Sequence, residues 1–143
     1  MIARTRGEAF GPEVVRRILT GTFVLSESQR AMYLETASRV RVQLVGEVQA
    51  ALTSVDALLF PTVPAPAFPL SSPPSSSGSL VYDLMTVPAN LVGAPAISIP
   101  VGEDEGRPIG IQIMTGQCQE RTMFATALAL EHLFTRDRER DSN

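Results

Sequence analysis

The stretch VPANLVGAPAISIPVG, positions 87–102, decides the fold. It is apolar enough to lie inside a protein, yet it contains three prolines and two glycines. Proline interrupts helices and cannot join the middle of a sheet, so these residues mark the boundaries of short elements. We predict a helix that restarts or kinks at Pro88 and ends at Gly93. A strand over 96–99, bounded by prolines on both sides, should follow.

Apolar spacing predicts three further elements upstream of this stretch. GPEVVRRILTG predicts a short helix that ends at Gly21, because proline suits the first turn of a helix and glycine its C-terminal cap. A long helix should then run from Ser26 or Ser28 to about Val55, since apolar residues recur there every three or four positions. The apolar run ALLF, at 57–60, predicts a fully buried strand.

Downstream, the sequence predicts a hairpin and a closing helix. EDEGRP is a charged turn, and the apolar run Ile109–Met114 should form a buried strand beside the preceding one. ERTMFATALALEHLF has helical apolar spacing from Glu120 onward, and we expect a disordered tail at 136–143. The serine- and proline-rich segment 71–79 is typical of a flexible surface insertion, and nothing near it indicates a nucleophilic serine.

The predicted element order is helix, helix, strand, helix, strand, strand, helix, which indicates the α/β class. Three short apolar strands need cover on both faces, and a sheet also needs protection at its edges. The sequence predicts about four helices and no further strands, which are too few to cover both faces and protect the edges of such a sheet. We therefore expect an α/β architecture that is incomplete in this chain.

Composition excludes several classes of function. The chain has 143 residues, 44% of them hydrophobic, and a net charge of -3. It has no basic block or aromatic platform, so we expect no direct nucleic-acid binding. No apolar run approaches the roughly 20 residues of a membrane span, so we expect no membrane insertion. A single cysteine, Cys118, is typical of a reducing compartment, and we expect the cytoplasm or an organelle matrix, mitochondrial or chloroplast.

The absence of lysine excludes a class of mechanism. All twelve cationic residues of the sequence are arginines. A reaction that needs lysine, as a Schiff base, a phosphate ligand or a proton carrier to serine, cannot be completed by this polypeptide alone. We therefore predict no catalytic residue in this chain.

Several ordered motifs make the sequence recognisable. GPEVVRRILTGTFVLS, VDALLFPTVPAPAF, YDLMTVPANLVGAPAISIPVG and GRPIGIQIM resemble the C-terminal part of the amidase signature family, over roughly Gly7 to Leu133. The resemblance implies that 1–143 is the C-terminal part of an amidase domain, with a mixed sheet flanked by helices. It implies amide hydrolysis by a serine, a second serine in a cis peptide and a lysine. Those three residues belong to an N-terminal signature region that this sequence does not contain.

Within that family the sequence is most similar to the A-subunit branch of the aspartyl/glutamyl-tRNA amidotransferases. The resemblance implies glutamine as substrate, ammonia supply for amidating mischarged glutamyl- or aspartyl-tRNA, and B and C subunits as partners in a heterotrimer. ATP and magnesium are implied for a partner subunit only, so we expect no cofactor in this chain. The alternatives are a fragment of another amidase acting on a small amide, and a non-catalytic remnant or interaction module.

The resemblance also implies two substrate-binding residues. A site for free glutamine needs a guanidinium for the α-carboxylate and a carboxylate for the α-ammonium. The matching positions are Arg17, in VRRI, and Asp83, in YDLMTVPAN. Arg16 is the alternative to Arg17, because adjacent helical residues point about 100° apart. Without the resemblance, both arginines would be interpreted as solvated and Asp83 as a helix cap.

Other polar residues are better explained structurally. We expect Asn90 to be a local capping group and Gln112 to satisfy buried backbone groups. Cys118 and His132 are fourteen positions apart without further ligands nearby, so we predict neither a zinc site nor a cysteine-protease pair. His132 should lie on the face or edge of the last helix. The acidic run 103–105 is interpreted as a solvated turn.

Overall fold

The computed structural model describes residues 7–71 and 81–141. The chain divides into two compact units, Met1–Gln43 and Leu44–Asn143, which are described separately. Apart from Ser71, the predicted insertion 71–79 lies outside the described residues, so its flexibility stays a prediction.

The first unit is helical. Its helices are α1 (Pro12–Leu25), α2 (Glu27–Arg30), a π-helical turn (Ala31–Glu35) and the first part of α3 (Thr36–Ala51). The ring of Phe23 on α1 packs against Tyr33 in the π-helical turn, with centroids 6.0 Å apart.

The predicted end of α1 at Gly21 is wrong, because the helix continues to Leu25. One glycine inside a helix costs only about 1 kcal/mol relative to alanine, which the neighbouring turns can offset. The hydroxyls of Thr20 and Thr22 donate to backbone carbonyls one turn earlier, both at 2.9 Å, and so remain compatible with the helix. The actual C-terminal cap is Ser26, whose backbone is extended.

The long helix predicted next is present, with two differences. It contains the π-helical turn, and it ends at Ala51 instead of about Val55. The Thr53 hydroxyl donates to the carbonyl of Ala50 at 2.6 Å, and the Ser54 hydroxyl donates to that of Ala51 at 3.0 Å. Such local bonds offer the backbone an alternative to helix, which explains the earlier end.

The second unit contains a three-stranded antiparallel sheet in the order β1-β3-β2. Its strands are β1 (Leu58–Pro61), β2 (Ala96–Asp104) and β3 (Arg107–Met114). The predicted hairpin is confirmed between β2 and β3. Its two turn residues, Glu105 and Gly106, have φ values of 51° and 75°, as a type I′ turn requires.

The strand β2 is longer than predicted, because it continues through Pro100 to Asp104. Within the described ranges, β2 lies at the edge of the sheet and pairs only with β3, so a missing N–H at Pro100 can be tolerated. A register irregularity between Pro100 and Gly102 accommodates the change. β3 correspondingly begins at Arg107, two residues before the predicted start.

Each face of the sheet packs on helices of the second unit. On one face, Ile99 and Ile113 pack with Ala127 of α5 (Glu120–Asp141). On the other face, Met114 packs with Ala89 and Val92 of α4 (Val87–Val92), and α3 residues join this cluster. The prediction that 57–60 is fully buried is wrong: β1 alternates half-buried and exposed residues, because it is an edge strand.

The two remaining helices begin where the sequence predicts. Pro88 lies in the first turn of α4, and the helix stops at Gly93, whose φ of 68° is the left-handed conformation that glycine adopts most easily. α5 continues to Asp141, so the backbone of 136–141 is helical where a disordered tail is predicted. This segment contains only Arg, Asp and Glu, and both Arg and Glu are good helix formers. In the described part of the chain, no helix combines the length and apolarity needed to cross a bilayer.

Candidate functional site

Both candidate arginines are held by one carboxylate on α1. The Nε of Arg17 donates to Oε1 of Glu13 at 2.7 Å. Arg16 donates its Nε to Oε2 at 2.8 Å and its Nη2 to Oε1 at 2.6 Å, so it binds the same carboxylate through two bonds. The Arg17 side chain is 60% exposed and that of Arg16 44%. Glu13 therefore contacts both guanidinium groups on the exposed surface of the helix.

These contacts also change the acidity of Glu13. The hydrogen bond from Arg16, followed by that from Arg17, lowers the pKa of Glu13 from 4.5 to about 2. The same pairing raises the pKa of Arg16. The carboxylate therefore keeps its charge, and keeps holding the arginines, across the pH range in which proteins normally work.

We predict that Glu13 titrates near pH 2 in the folded chain and not near 4.5. Because the folded pKa is lowered, its stabilising effect is present above pH 4.5 and is lost as the pH falls through about 2. A carbon-13 NMR titration of the Glu13 carboxyl measures this. Arg16→Gln should bring the pKa closer to 4.5 than Arg17→Gln does, because Arg16 makes two of the three bonds. Equal shifts in the two variants would contradict this order.

Asp83 lies in the second unit, and residues 81–83 are helical and precede α4. The backbone N–H and the hydroxyl of Thr86 both donate to the Asp83 carbonyl, at 3.1 and 3.2 Å. Upstream in the same segment, the Tyr82 ring packs edge-on against Phe68, with centroids 5.5 Å apart. The residue at the N-cap of α4 is Thr86, so Asp83 is not the cap of this helix.

Two glutamines connect α4 to the rest of the unit. Nε2 of Gln112 donates to the carbonyl of Met85 at 2.9 Å, and Nε2 of Gln117 donates to the carbonyl of Val92 at 2.8 Å. Gln112 is buried on the central strand, and the backbone carbonyl that it satisfies belongs to the half-buried Met85. Nδ2 of Asn90 donates to the carbonyl of Thr86 at 3.0 Å, a local contact one turn back. The caps of α4 are Thr86 and Gly93, so the expectation that Asn90 is a capping group is wrong.

The structure places the two sequence-derived candidates in different units, Arg17 in the first and Asp83 in the second, and each is described within its own. Sequence reasoning missed the role of Glu13. Its spacing of three and four residues from the two arginines was the available signal, because such pairs are neighbours on a helix.

The other polar candidates have no cluster around them. Among residues 7–71 and 81–141, no group of three or more His, Cys, Asp or Glu side chains could hold a metal ion. Cys118 and His132 are exposed, the latter on α5 as predicted. In the acidic run, Glu105 lies in the turn, is 79% exposed and pairs with Arg107 at 2.8 Å. Glu103 and Asp104 are exposed as expected, but they belong to the end of β2 and not to the turn.

Comparisons with known proteins place these features in a family context. The amidase family model matches residues 1–124. The A subunit of glutamyl-tRNA(Gln) amidotransferase from a Synechococcus strain is 40% identical over 131 residues, covering 92% of this chain and 26% of that protein. The protein of the same name from Maricaulis maris is 43% identical over 129 residues, covering 89% and 26%.

A solved structure of such an A subunit is also similar to this chain in its backbone fold. The crystal structure of the glutamyl-tRNA(Gln) amidotransferase A subunit from Thermotoga maritima matches with a TM-score of 0.65 and 37% identity. The match covers 85% of this chain and 27% of that one. The chain thus spans about a quarter of the length of the relatives it matches.

Proposed function

This chain belongs to the amidase family, and we propose that it provides the glutamine-binding segment of a glutamine-hydrolysing site. The ammonia released would serve the amidation of mischarged glutamyl- or aspartyl-tRNA. The observation that carries the proposal is the 40% identity to an amidotransferase A subunit, which extends over 92% of this chain. Arg17 and Asp83 both lie in the motifs through which the sequence resembles that branch of the family.

In this proposal the two residues bind opposite charges of the substrate. The Arg17 guanidinium binds the α-carboxylate of glutamine, and the Asp83 carboxylate binds its α-ammonium. The Nε of Arg17 is already occupied by Glu13, which directs the group before substrate arrives. Preorganised charges of this kind bind a zwitterion with less loss of side-chain freedom.

The chemical step belongs to residues outside this sequence. Its cationic residues are all arginines, so a lysine that moves the proton of a serine nucleophile must come from outside these 143 residues. We propose that B and C subunits are partners in the same assembly, and that ATP and magnesium act on a partner. The contribution of this chain is to bind and orient glutamine.

Glutamine hydrolysis in a two-chain assay tests the proposal. The second chain is the first three quarters, roughly, of the Maricaulis maris relative, the portion that the match leaves uncovered. We expect no turnover by either chain alone and measurable turnover by the mixture after co-expression. The second chain fused to its own C-terminal quarter is the positive control.

Two results would contradict the proposal. Glutamine turnover by the pure 143-residue chain would show that it contains its own catalytic groups. An active positive control beside an inactive mixture would show that this chain does not complete such a site. Turnover of a small neutral amide in preference to glutamine would instead favour a different amidase.

A further inference from the structure

The two glutamines that contact α4 act on opposite ends of it. Gln112 donates to the carbonyl of Met85, just before the helix, and Gln117 donates to the carbonyl of Val92, its last residue. The bonds have nearly equal lengths, 2.9 and 2.8 Å. They differ in what lies near them, because Met85 is two residues from Asp83 whereas Val92 is at the far end of the helix.

The position of Gln112 makes its bond consequential. It lies on the central strand β3, paired across the sheet with Phe60 on one side and Ser98 on the other. It is 5% exposed, and a buried amide destabilises a fold unless its polar atoms are paired. Within the described ranges, every buried side-chain nitrogen and oxygen has a hydrogen-bond partner. For Nε2 of Gln112 that partner is the Met85 carbonyl.

Met85, which Gln112 contacts, lies in a hydrogen-bonded turn that also contains Asp83. Thr86 follows Met85 directly and donates twice to the Asp83 carbonyl, so the 83–86 turn is closed by its own hydrogen bonds. These two bonds couple the backbone at Asp83 to that at Thr86. Holding Met85 to the sheet therefore also holds the backbone that carries the Asp83 carboxylate.

We propose that Gln112 is a positioning residue for Asp83, so that its amide controls how strongly the site binds the α-ammonium of an amino-acid substrate. This inference rests on the proposed function of Asp83. Gln117 has a structural role only, because it holds the end of α4 that lies away from the turn. A loosened turn weakens the contact with the α-ammonium group, so the effect should appear in the KM for the substrate.

The first test uses the chain itself. Gln112→Met and Gln117→Met each replace an amide by an apolar side chain of similar length. Hydrogen exchange at the backbone amides of 83–87 should accelerate at least about tenfold in Gln112→Met and change less than about threefold in Gln117→Met. In the wild-type chain, the Nε2 protons of Gln112 should exchange more slowly than those of Gln117. Fast exchange of the Gln112 protons would overturn the tether without any variant.

The second test uses the glutamine-hydrolysing assembly of this chain with its complementing polypeptide. Gln112→Met should raise the KM for glutamine about tenfold with kcat within about threefold, whereas Gln117→Met should leave KM within about twofold. Asp83→Asn gives the full effect of losing the carboxylate. If Asp83→Asn raises KM and Gln112→Met does not, the positioning role is wrong. If Asp83→Asn itself changes nothing, the proposed function of Asp83 has failed, and the exchange data still decide whether Gln112 holds the turn.

Discussion

Arg17→Ala and Asp83→Ala should each reduce kcat/KM for glutamine roughly 30- to 900-fold in the assembled enzyme. This corresponds to a loss of about 2–4 kcal/mol of transition-state stabilisation. In the proposed site, truncation leaves one charged end of the bound glutamine without its partner, and this unpaired charge is expected to cause most of the loss. Synthesis of amidated tRNA from free ammonia, and of the corresponding hydroxamate from hydroxylamine, should stay close to wild type, because neither molecule needs the glutamine pocket. The measurement is a comparison of glutamine- and ammonia-driven synthesis in each variant.

Arg16→Ala is the matched control, because Arg16 shares α1 and the Glu13 carboxylate with Arg17. Its effect on glutamine use should stay within about threefold. An Arg16→Ala loss as large as that expected for Arg17→Ala would transfer the role to Arg16. Equal loss of ammonia-driven and glutamine-driven synthesis in the Arg17 or Asp83 variants would show that these residues do not act in glutamine binding.

Substrate geometry adds a constraint on the assembled enzyme. The α-carboxylate and α-ammonium of glutamine are separated by a few ångströms, and each needs one hydrogen bond of about 2.9 Å. The charged tips of Arg17 and Asp83 should therefore lie within roughly 6–10 Å of each other when glutamine is bound. A structure of the assembly with the two side chains on opposite faces would contradict the shared site.

Local chemistry explains the parts of the fold that the sequence predicts correctly. Pro88 and Gly93 define α4 because a missing N–H suits a first turn and a positive φ suits glycine, and neither depends on distant residues. Gly21 and Pro100 are predicted to be boundaries but lie inside elements, for a different reason. A glycine can continue a helix whose other turns are stable, and a proline can lie in an edge strand. Those outcomes depend on tertiary context, which single-sequence patterns do not contain.

In the candidate site, too, some features follow from local sequence and others depend on tertiary packing. Arg17 and Asp83 came from family resemblance, since residue pattern alone favoured solvated arginines and a helix cap. The pairing of Glu13 with both arginines was accessible from helical spacing. The bond from Gln112 to Met85 was not, because it joins residues 27 positions apart whose proximity is created by the packing of α4 on the sheet. Sequence identified Gln112 as a residue that satisfies backbone groups, without indicating which ones.

Ile113→Ala should destabilise the sheet-containing unit by about 2–5 kcal/mol, because Ile113 is fully buried on the central strand between β1 and β2. Small domains have only about 5–15 kcal/mol of stability in total, and this chain also exposes large apolar side chains such as Leu19 and Phe23.

Ile109→Ala is the matched control: it makes the same change on the same strand at a residue that is 37% exposed, and should cost less than about 1 kcal/mol. Urea unfolding followed by circular dichroism measures both. Equal losses in the two variants would mean that burial against α5 does not hold this strand in place, and that the stability of the sheet comes from its hydrogen-bonded ladder instead.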